Sequence, residues 1–170
     1  MADLLVAARR LAYRAAHGVR SLYWRLRRPT TVGVRIAVVS ADGEVVVVRH
    51  SYGPPSLYFP GGRVDRGETC AEAAVRELAE ETAIRPARGE TSLRLFGVYT
   101  NRRGGLTTHI ILFELPACEW QHSDLDDARH GAEITEVTLV AMIAPPADVS
   151  RATRQRLAEL ADGDQAGFIW

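Results

Sequence analysis

The chain has 170 residues, enough for one domain with a full hydrophobic core and an appendage, and 46% of them are hydrophobic. Its 21 basic residues, all Arg, balance 21 acidic residues, and zero net charge argues against a domain that binds nucleic acid. No apolar run approaches the roughly 18 residues of a membrane span, and two cysteines are too few for a disulfide framework. We therefore expect a cytoplasmic globular protein without a stable nucleic-acid partner.

Residues 1–28 form a basic N-terminal arm with seven Arg and one acidic residue. Apolar side chains recur in it at spacings of three and four residues, which predicts an amphipathic helix over residues 3–27. These side chains are Leu4, Ala8, Leu11, Ala15, Val19, Leu22 and Leu26. We favour packing of this helix on its own domain or in a homodimer over contact with an anionic membrane surface. A transit peptide or a nucleic-acid contact is a further alternative.

Pro29 ends the arm, and residues 29–170 are expected to form one domain. Its β-branched and apolar runs predict strands over residues 32–40, 45–49, 57–59, 93–99, 107–115 and 137–143. Helices are predicted from Cys70 to a point before Pro86, and over residues 149–161. The turn at residues 41–43 predicts a hairpin of the first two strands. This order of elements predicts an α/β fold, a mixed sheet with helices on both faces.

A glycine-rich turn meets an acidic helix between Gly61 and Ile84. The helix is expected to begin near Cys70, because Thr69 and Glu72 form a capping box. At about 100° per residue, one face of this helix is apolar and the other carries carboxylates. Those carboxylates belong to Glu77, Glu80 and Glu81. A solvated face is the ordinary interpretation of such a helix, but the adjacent glycines favour a hard divalent cation and a phosphate site.

The spacing of these residues resembles the signature of the Nudix hydrolases, G-x5-E-x7-R-E-U-x-E-E-x-G-U with U aliphatic. This chain reads Gly62-x5-Glu68-x7-Arg76-Glu77-Leu78-x-Glu80-Glu81-x-Ala83-Ile84, and eight of the nine fixed positions match. The departure is Ala83, where the family has a glycine that suits a left-handed helix cap. The local backbone at the helix end is therefore the one feature of the motif that this sequence leaves open.

The resemblance implies a Nudix α/β/α sandwich and a Mg²⁺- or Mn²⁺-dependent hydrolase that cleaves a nucleoside diphosphate linked to another group. It assigns catalysis to Arg76, Glu77, Glu80 and Glu81, and metal binding to Gly61, Glu68, Glu77, Glu80, Glu81 and Glu133. The general base is either Glu77 or a carboxylate outside the motif, here Glu133. The alternative is a Nudix-like module that senses nucleotides without turnover.

Four basic side chains outside the motif are candidates for binding substrate phosphates: Arg49, His50, Arg102 and Arg103. The first two lie at the end of a strand and the other two in a predicted turn, where solvated side chains are the alternative interpretation. The nature of the group linked to the nucleotide stays open. A proline beyond the motif that marks some ADP-ribose hydrolases is absent, and Tyr99 is out of register with the tyrosine of some dinucleoside polyphosphate hydrolases.

Overall fold

The computed structural model describes residues 30–103, 105–120, 133–164 and 167–170. The strands and α-helices of these ranges are β1 Thr30–Val38, β2 Glu44–His50, β3 Leu57–Tyr58, α1 Cys70–Thr82, β4 Arg94–Arg103, β5 Leu106–Leu115, β6 Ile134–Ala141 and α2 Arg151–Asp162. Short 3₁₀ helices span Gly89–Ser92 and Ala117–Glu119. The predicted N-terminal helix lies outside the described residues. Among the helices that are described, none has the length and apolar character to span a bilayer.

The six strands form two three-stranded sheets, and the first of these is mixed, as the sequence predicts. In the first, β5 lies between β1, to which it is parallel, and β4, to which it is antiparallel. The second sheet is antiparallel, with β2 between β3 and β6. The predicted turn at residues 41–43 forms, and the Ser40 N–H donates to the Glu44 carbonyl across it, but β1 and β2 do not continue as a paired hairpin. Beyond the turn only Val39 and Val45 form a bridge, and β2 then pairs with β6.

Two hydrophobic clusters cover opposite faces of the sheets. Val34 and Ile36 of β1 pack in one cluster with Leu78 of α1, whereas Ala37 packs in the other with Leu157 of α2. Successive residues of a strand point to opposite faces, so β1 contributes to both clusters. The helices therefore lie on opposite sides of the strands, which confirms the α/β/α architecture.

Both ends of α1 follow from its sequence. Thr69 caps the first turn and exchanges hydrogen bonds with Glu72, as the capping box predicts. At the other end Ala83 adopts the left-handed conformation, with φ 63°, and its N–H donates to the carbonyl of Ala79. The chain thus keeps the cap conformation although it lacks the glycine that favours it.

Candidate active site

The turn that precedes α1 requires glycine at position 61. Gly61 has φ 134°, and a Cβ there would lie 2.3 Å from the carbonyl oxygen of Val34 and 3.0 Å from the Cα of Arg35. The next residue pairs directly with β1, because the Gly62 carbonyl accepts a hydrogen bond from the Val34 N–H at 2.9 Å. The turn is therefore pressed against the middle of β1, and only a residue without a side chain fits.

Glu81 is the buried carboxylate of the site, with 7% of its surface exposed. Its Oε2 accepts a hydrogen bond from the Gly61 N–H at 2.8 Å, and its Oε1 lies 3.9 Å from Nε2 of His50. Burial raises the pKa of Glu81 to about 7, although the bond from Gly61 opposes this shift. The surrounding groups therefore compensate the ionised carboxylate only in part.

Glu77 lies against the second glycine of the turn. A Cβ on Gly62 would fall 2.3 Å from Oε1 of Glu77, so the glycine leaves the space that the carboxylate occupies. The same oxygen accepts a hydrogen bond from Nη1 of Arg76 at 2.9 Å. Burial nevertheless raises the pKa of Glu77. Gly61 thus donates a hydrogen bond to Glu81, and Gly62 leaves space for the carboxylate of Glu77.

Arg76 connects the loop before α1 to the helix, and its predicted catalytic role stays a prediction. Its Nε and Nη2 donate to the two carboxylate oxygens of Glu68, at 2.8 and 3.0 Å, and this pair lowers the pKa of Glu68 to about 2. Its contact with Glu80 is longer, at 3.4 Å, and the Glu80 side chain is 60% exposed. Arg76 therefore connects Glu68 with Glu77 and leaves Glu80 largely free to turn towards a ligand.

The opposite wall is built by the loop after β2 and the start of β6. The Tyr52 hydroxyl donates to Oε1 of Glu133 at 2.6 Å, and the Ser51 N–H donates to the Glu133 carbonyl. His50 lies beneath, its ring 5.2 Å from that of Tyr52. Among the described residues its Nδ1 has no hydrogen-bond partner, and burial lowers the pKa of His50. Glu133 is thereby held at the rim opposite α1.

These walls enclose a cavity of about 540 Å³. It brings together six residues that the sequence predicted for the site: His50, Gly61, Glu77, Glu80, Glu81 and Glu133. Arg35 also lines it and was not predicted. The available signal was a single charged residue in the middle of the apolar run of β1.

The three arginines that were predicted to bind phosphate lie outside the cavity. Arg49 donates to Glu136 at 2.7 Å, to Asp148 at 2.6 Å and to the Pro55 carbonyl at 2.8 Å, so its guanidinium ties β2 to β6 and to the loop. Arg102 and Arg103 are exposed on the last residues of β4 rather than in a turn. None of these three lines the cavity. Their expected role in substrate binding stays a prediction.

The donor set of the cavity suits a hard cation. Carboxylate oxygens are the ligands that Mg²⁺ and Mn²⁺ prefer, and the burial of Glu81 leaves a charge for a cation to neutralise. The arrangement is not a finished cage, because in the described parts of the chain no three Asp, Glu, His or Cys side chains cluster closely enough to hold an ion. Glu77 and Glu80, which both contact Arg76, line the cavity beside Glu81.

The chain is similar in sequence to a known family and to several characterised proteins. The NUDIX domain family matches residues 29–160. The "Putative mutator protein MutT4" of Mycobacterium tuberculosis is 34% identical over 106 residues, which cover 61% of this chain and 40% of that protein. An RNA pyrophosphohydrolase of Shewanella piezotolerans is 43% identical over 53 residues, 31% of this chain and 30% of that protein. The matches thus span less than half of the length of these relatives.

Solved structures share the fold. A bifunctional NMN adenylyltransferase/ADP ribose pyrophosphatase from Francisella tularensis, in complex with AMP and a Mn ion, superimposes with a TM-score of 0.63. The superposition covers 87% of this chain and 48% of that one, at 18% identity. The family match covers well over half of the chain, and the motif and the fold agree with it. This chain therefore belongs to the Nudix family.

Proposed function

We propose that the protein is a Mg²⁺- or Mn²⁺-dependent pyrophosphohydrolase that cleaves a nucleoside diphosphate linked to another group. The observation that carries this proposal is the cavity itself, in which Glu77, Glu80, Glu81 and Glu133 face a space of about 540 Å³. That volume suits a nucleotide-sized ligand. Four carboxylates repel a diphosphate unless cations lie between them, so the cavity and the substrate class together require a metal.

Glu77, Glu80 and Glu81 are the residues that would hold the ions. When bound, a divalent cation neutralises charge on the diphosphate oxygens and favours attack on phosphorus. Arg76 restrains Glu77 through the 2.9 Å hydrogen bond and keeps the preceding loop in place through Glu68. The Gly61 N–H holds Glu81, so the ligands are carried by a rigid turn and helix.

We assign the general base to Glu133. Its carboxylate lines the same cavity and is oriented by the Tyr52 hydroxyl, whereas the Glu77 carboxylate is held by Arg76 and is proposed as a metal ligand. Water attacks phosphorus, its proton passes to Glu133, the bond to the bridging oxygen breaks, and the leaving phosphate is later protonated. The products are a nucleoside monophosphate and a phosphorylated second group.

The test is a substrate panel with Mg²⁺ and with Mn²⁺, in which the nucleotide products are separated and identified by ion-exchange chromatography. It includes (d)NTPs, 8-oxo-dGTP, ADP-ribose, nucleotide sugars, dinucleoside polyphosphates and RNA with a 5′-triphosphate. Glu80→Gln and Glu81→Gln proteins serve as controls, and each is expected to lower kcat about 100-fold or more while the fold is kept. Metal-dependent turnover that these variants lose supports the proposal.

A nucleotide-sensing module without turnover is the second candidate. It predicts binding of a panel member with no hydrolysis, which would contradict the proposed activity. The retention of all the motif carboxylates favours the enzyme.

Both cysteines are free thiols, which agrees with the expected cytoplasmic location.

A further inference from the structure

Arg35 is a charged side chain in the middle of a buried strand. Its neighbours Val34 and Ile36 are fully buried against α1, and strand alternation turns Arg35 to the other side, where it lines the cavity. Its backbone lies directly beneath the glycine turn, because a Cβ on Gly61 would approach the Cα of Arg35 to 3.0 Å. The guanidinium therefore enters the site from the sheet, whereas Glu77, Glu80 and Glu81 enter it from the helix.

The hydrogen bonds of Arg35 leave most of its donors available. Nη1 donates to the carbonyl of Val34 at 2.8 Å, which uses one of the five N–H groups of a guanidinium. None of the described carboxylates comes within salt-bridge distance of Arg35, although Glu81 and Glu77 attract it through space. Arg35 is partly buried and lines the cavity, and a guanidinium with free donors and no paired anion in such a place suits a ligand that supplies the anion.

A phosphate group suits the anion that a ligand would supply to Arg35. A guanidinium donates two parallel hydrogen bonds to phosphate oxygens, and it keeps its charge at neutral pH even when burial lowers its pKa. The carboxylates enter the cavity from α1 and Arg35 enters it from β1, so the free donors of Arg35 are available to phosphate oxygens on the side of β1.

We propose that Arg35 is a substrate-binding residue, whose guanidinium donates hydrogen bonds to diphosphate oxygens on the side of the cavity opposite α1. This inference rests on the proposed function, since it concerns the same diphosphate. It differs from a purely structural role, in which Arg35 compensates the charges of Glu77 and Glu81. The structural role acts on metal affinity, and the binding role acts on phosphate affinity.

The experiment measures binding of imidodiphosphate, a pyrophosphate analogue that is not hydrolysed at the bridge, by calorimetry in the presence of Mg²⁺. Arg35→Gln is expected to weaken its binding about ten- to a hundredfold. Arg35→Lys, which keeps the charge but loses the planar pair of donors, is expected to fall between Arg35→Gln and the wild type. Arg151→Gln removes an exposed guanidinium from α2 and is expected to bind imidodiphosphate as the wild type does.

Binding of Mn²⁺, followed by electron paramagnetic resonance in the absence of phosphate, separates the two roles. Removal of a nearby cation leaves Mn²⁺ affinity unchanged or slightly higher if Arg35 serves the substrate. A parallel loss of Mn²⁺ affinity in Arg35→Gln would show that Arg35 acts through the carboxylates and would overturn the inference. Equal imidodiphosphate affinity in Arg35→Gln and the wild type, or no binding by the wild type, would overturn it as well.

The same experiments distinguish failure of the proposed hydrolysis from failure of the binding role of Arg35. If the wild type binds imidodiphosphate through Arg35 but hydrolyses no member of the substrate panel, the activity is refuted and the binding role stands. If turnover is normal and Arg35→Gln keeps its KM, the activity stands and the binding role is refuted. Circular dichroism verifies the fold of each variant, and Arg35→Lys carries the comparison if Arg35→Gln does not fold.

Discussion

The N–H of Gly61 donates a hydrogen bond to Oε2 of Glu81 at 2.8 Å, and this bond connects the glycine turn to the last carboxylate of α1. The two residues are 20 positions apart in the sequence. The bond holds Glu81 in a buried position, where its ionised form is stabilised by only one backbone donor and by charges at a distance. The relationship explains why the acidic motif begins with a glycine turn, and burial leaves Glu81 with a raised pKa despite this bond.

The first prediction concerns pH and stability without metal. Burial raises the pKa of Glu81 from 4.5 to about 7, so the folded state binds a proton more tightly than the unfolded state does. The resulting stability is present below pH 4.5 and is lost as the pH rises through about 7. The ionisation costs up to about 3 kcal/mol. In EDTA, the wild type is therefore expected to lose free energy of unfolding between pH 5 and pH 8, as measured with urea. Glu81→Gln is expected to lose less over the same range.

Glu80→Gln is the matched control, because Glu80 lies on the same helix and is mostly exposed. It is expected to show the same pH dependence of unfolding as the wild type. Equal pH dependence in Glu81→Gln and the wild type would contradict the burial argument. Addition of Mg²⁺ is expected to stabilise the wild type most at pH 8, where Glu81 is ionised.

The second prediction concerns the cap of α1. Ala83 adopts φ 63°, a conformation that costs an L-residue roughly 1–2 kcal/mol and costs glycine almost nothing. Ala83→Gly is therefore expected to raise the free energy of unfolding by about 1 kcal/mol, after some loss to the flexibility of the unfolded chain. Ala79→Gly, in the regular part of the same helix, is expected to lower it by about 1 kcal/mol. Destabilisation by Ala83→Gly would contradict the prediction.

The sequence predicted the local features of the site well. Thr69 and Glu72 predicted the start of α1, and the helical spacing placed Glu77, Glu80 and Glu81 on one face, which the structure turns to a common cavity. These features depend on residues that are close in sequence, where propensity and periodicity act directly. The conformation of Ala83 was the local exception left open, because it is set by the surrounding fold.

The features that sequence analysis missed depend on contacts between distant segments. The pairing of β1 with β5 joins residues 77 positions apart, such as Thr31 and Thr108, and no local pattern encodes it. Arg49 was expected to face phosphate, but Glu136 and Asp148 approach it from later parts of the chain. Arg35 was overlooked for the same reason. It lines the cavity only because the glycine turn packs against β1 in the folded chain.

The third prediction separates the general base from the metal ligands. Glu133→Gln is expected to lower kcat by about 10²- to 10⁴-fold and to leave Mn²⁺ affinity within about threefold of the wild type. Glu77→Gln is expected to lower kcat and Mn²⁺ affinity together, because Glu77 is proposed as a ligand. Tyr52→Phe removes only the hydrogen bond that orients Glu133, so its loss of kcat is expected to be about tenfold. A loss of Mn²⁺ affinity in Glu133→Gln would transfer the base role to Glu77.

The fourth prediction concerns the N-terminal arm, residues 1–28, which lies outside the described residues. We propose that its apolar stripe, from Leu4 to Leu26, is covered by the domain or by a second copy of the chain, because a long apolar face is not left in water. The domain offers apolar surface at Leu95, Phe168 and Ile169, each more than 60% exposed. Deletion of residues 1–28 is expected to lower the Tm by several degrees or to convert a dimer to a monomer.

Two measurements decide between this packing and the membrane alternative. Light scattering and thermal unfolding of the full-length and shortened proteins, at 50 mM and 500 mM NaCl, test packing, which depends on apolar contacts and is expected to be largely insensitive to salt. Sedimentation with phosphatidylserine vesicles at both salt concentrations tests electrostatic attachment by the arginines of the arm. Co-sedimentation at low salt only, combined with an unchanged Tm and oligomeric state on deletion, would contradict packing and establish the arm as a membrane contact.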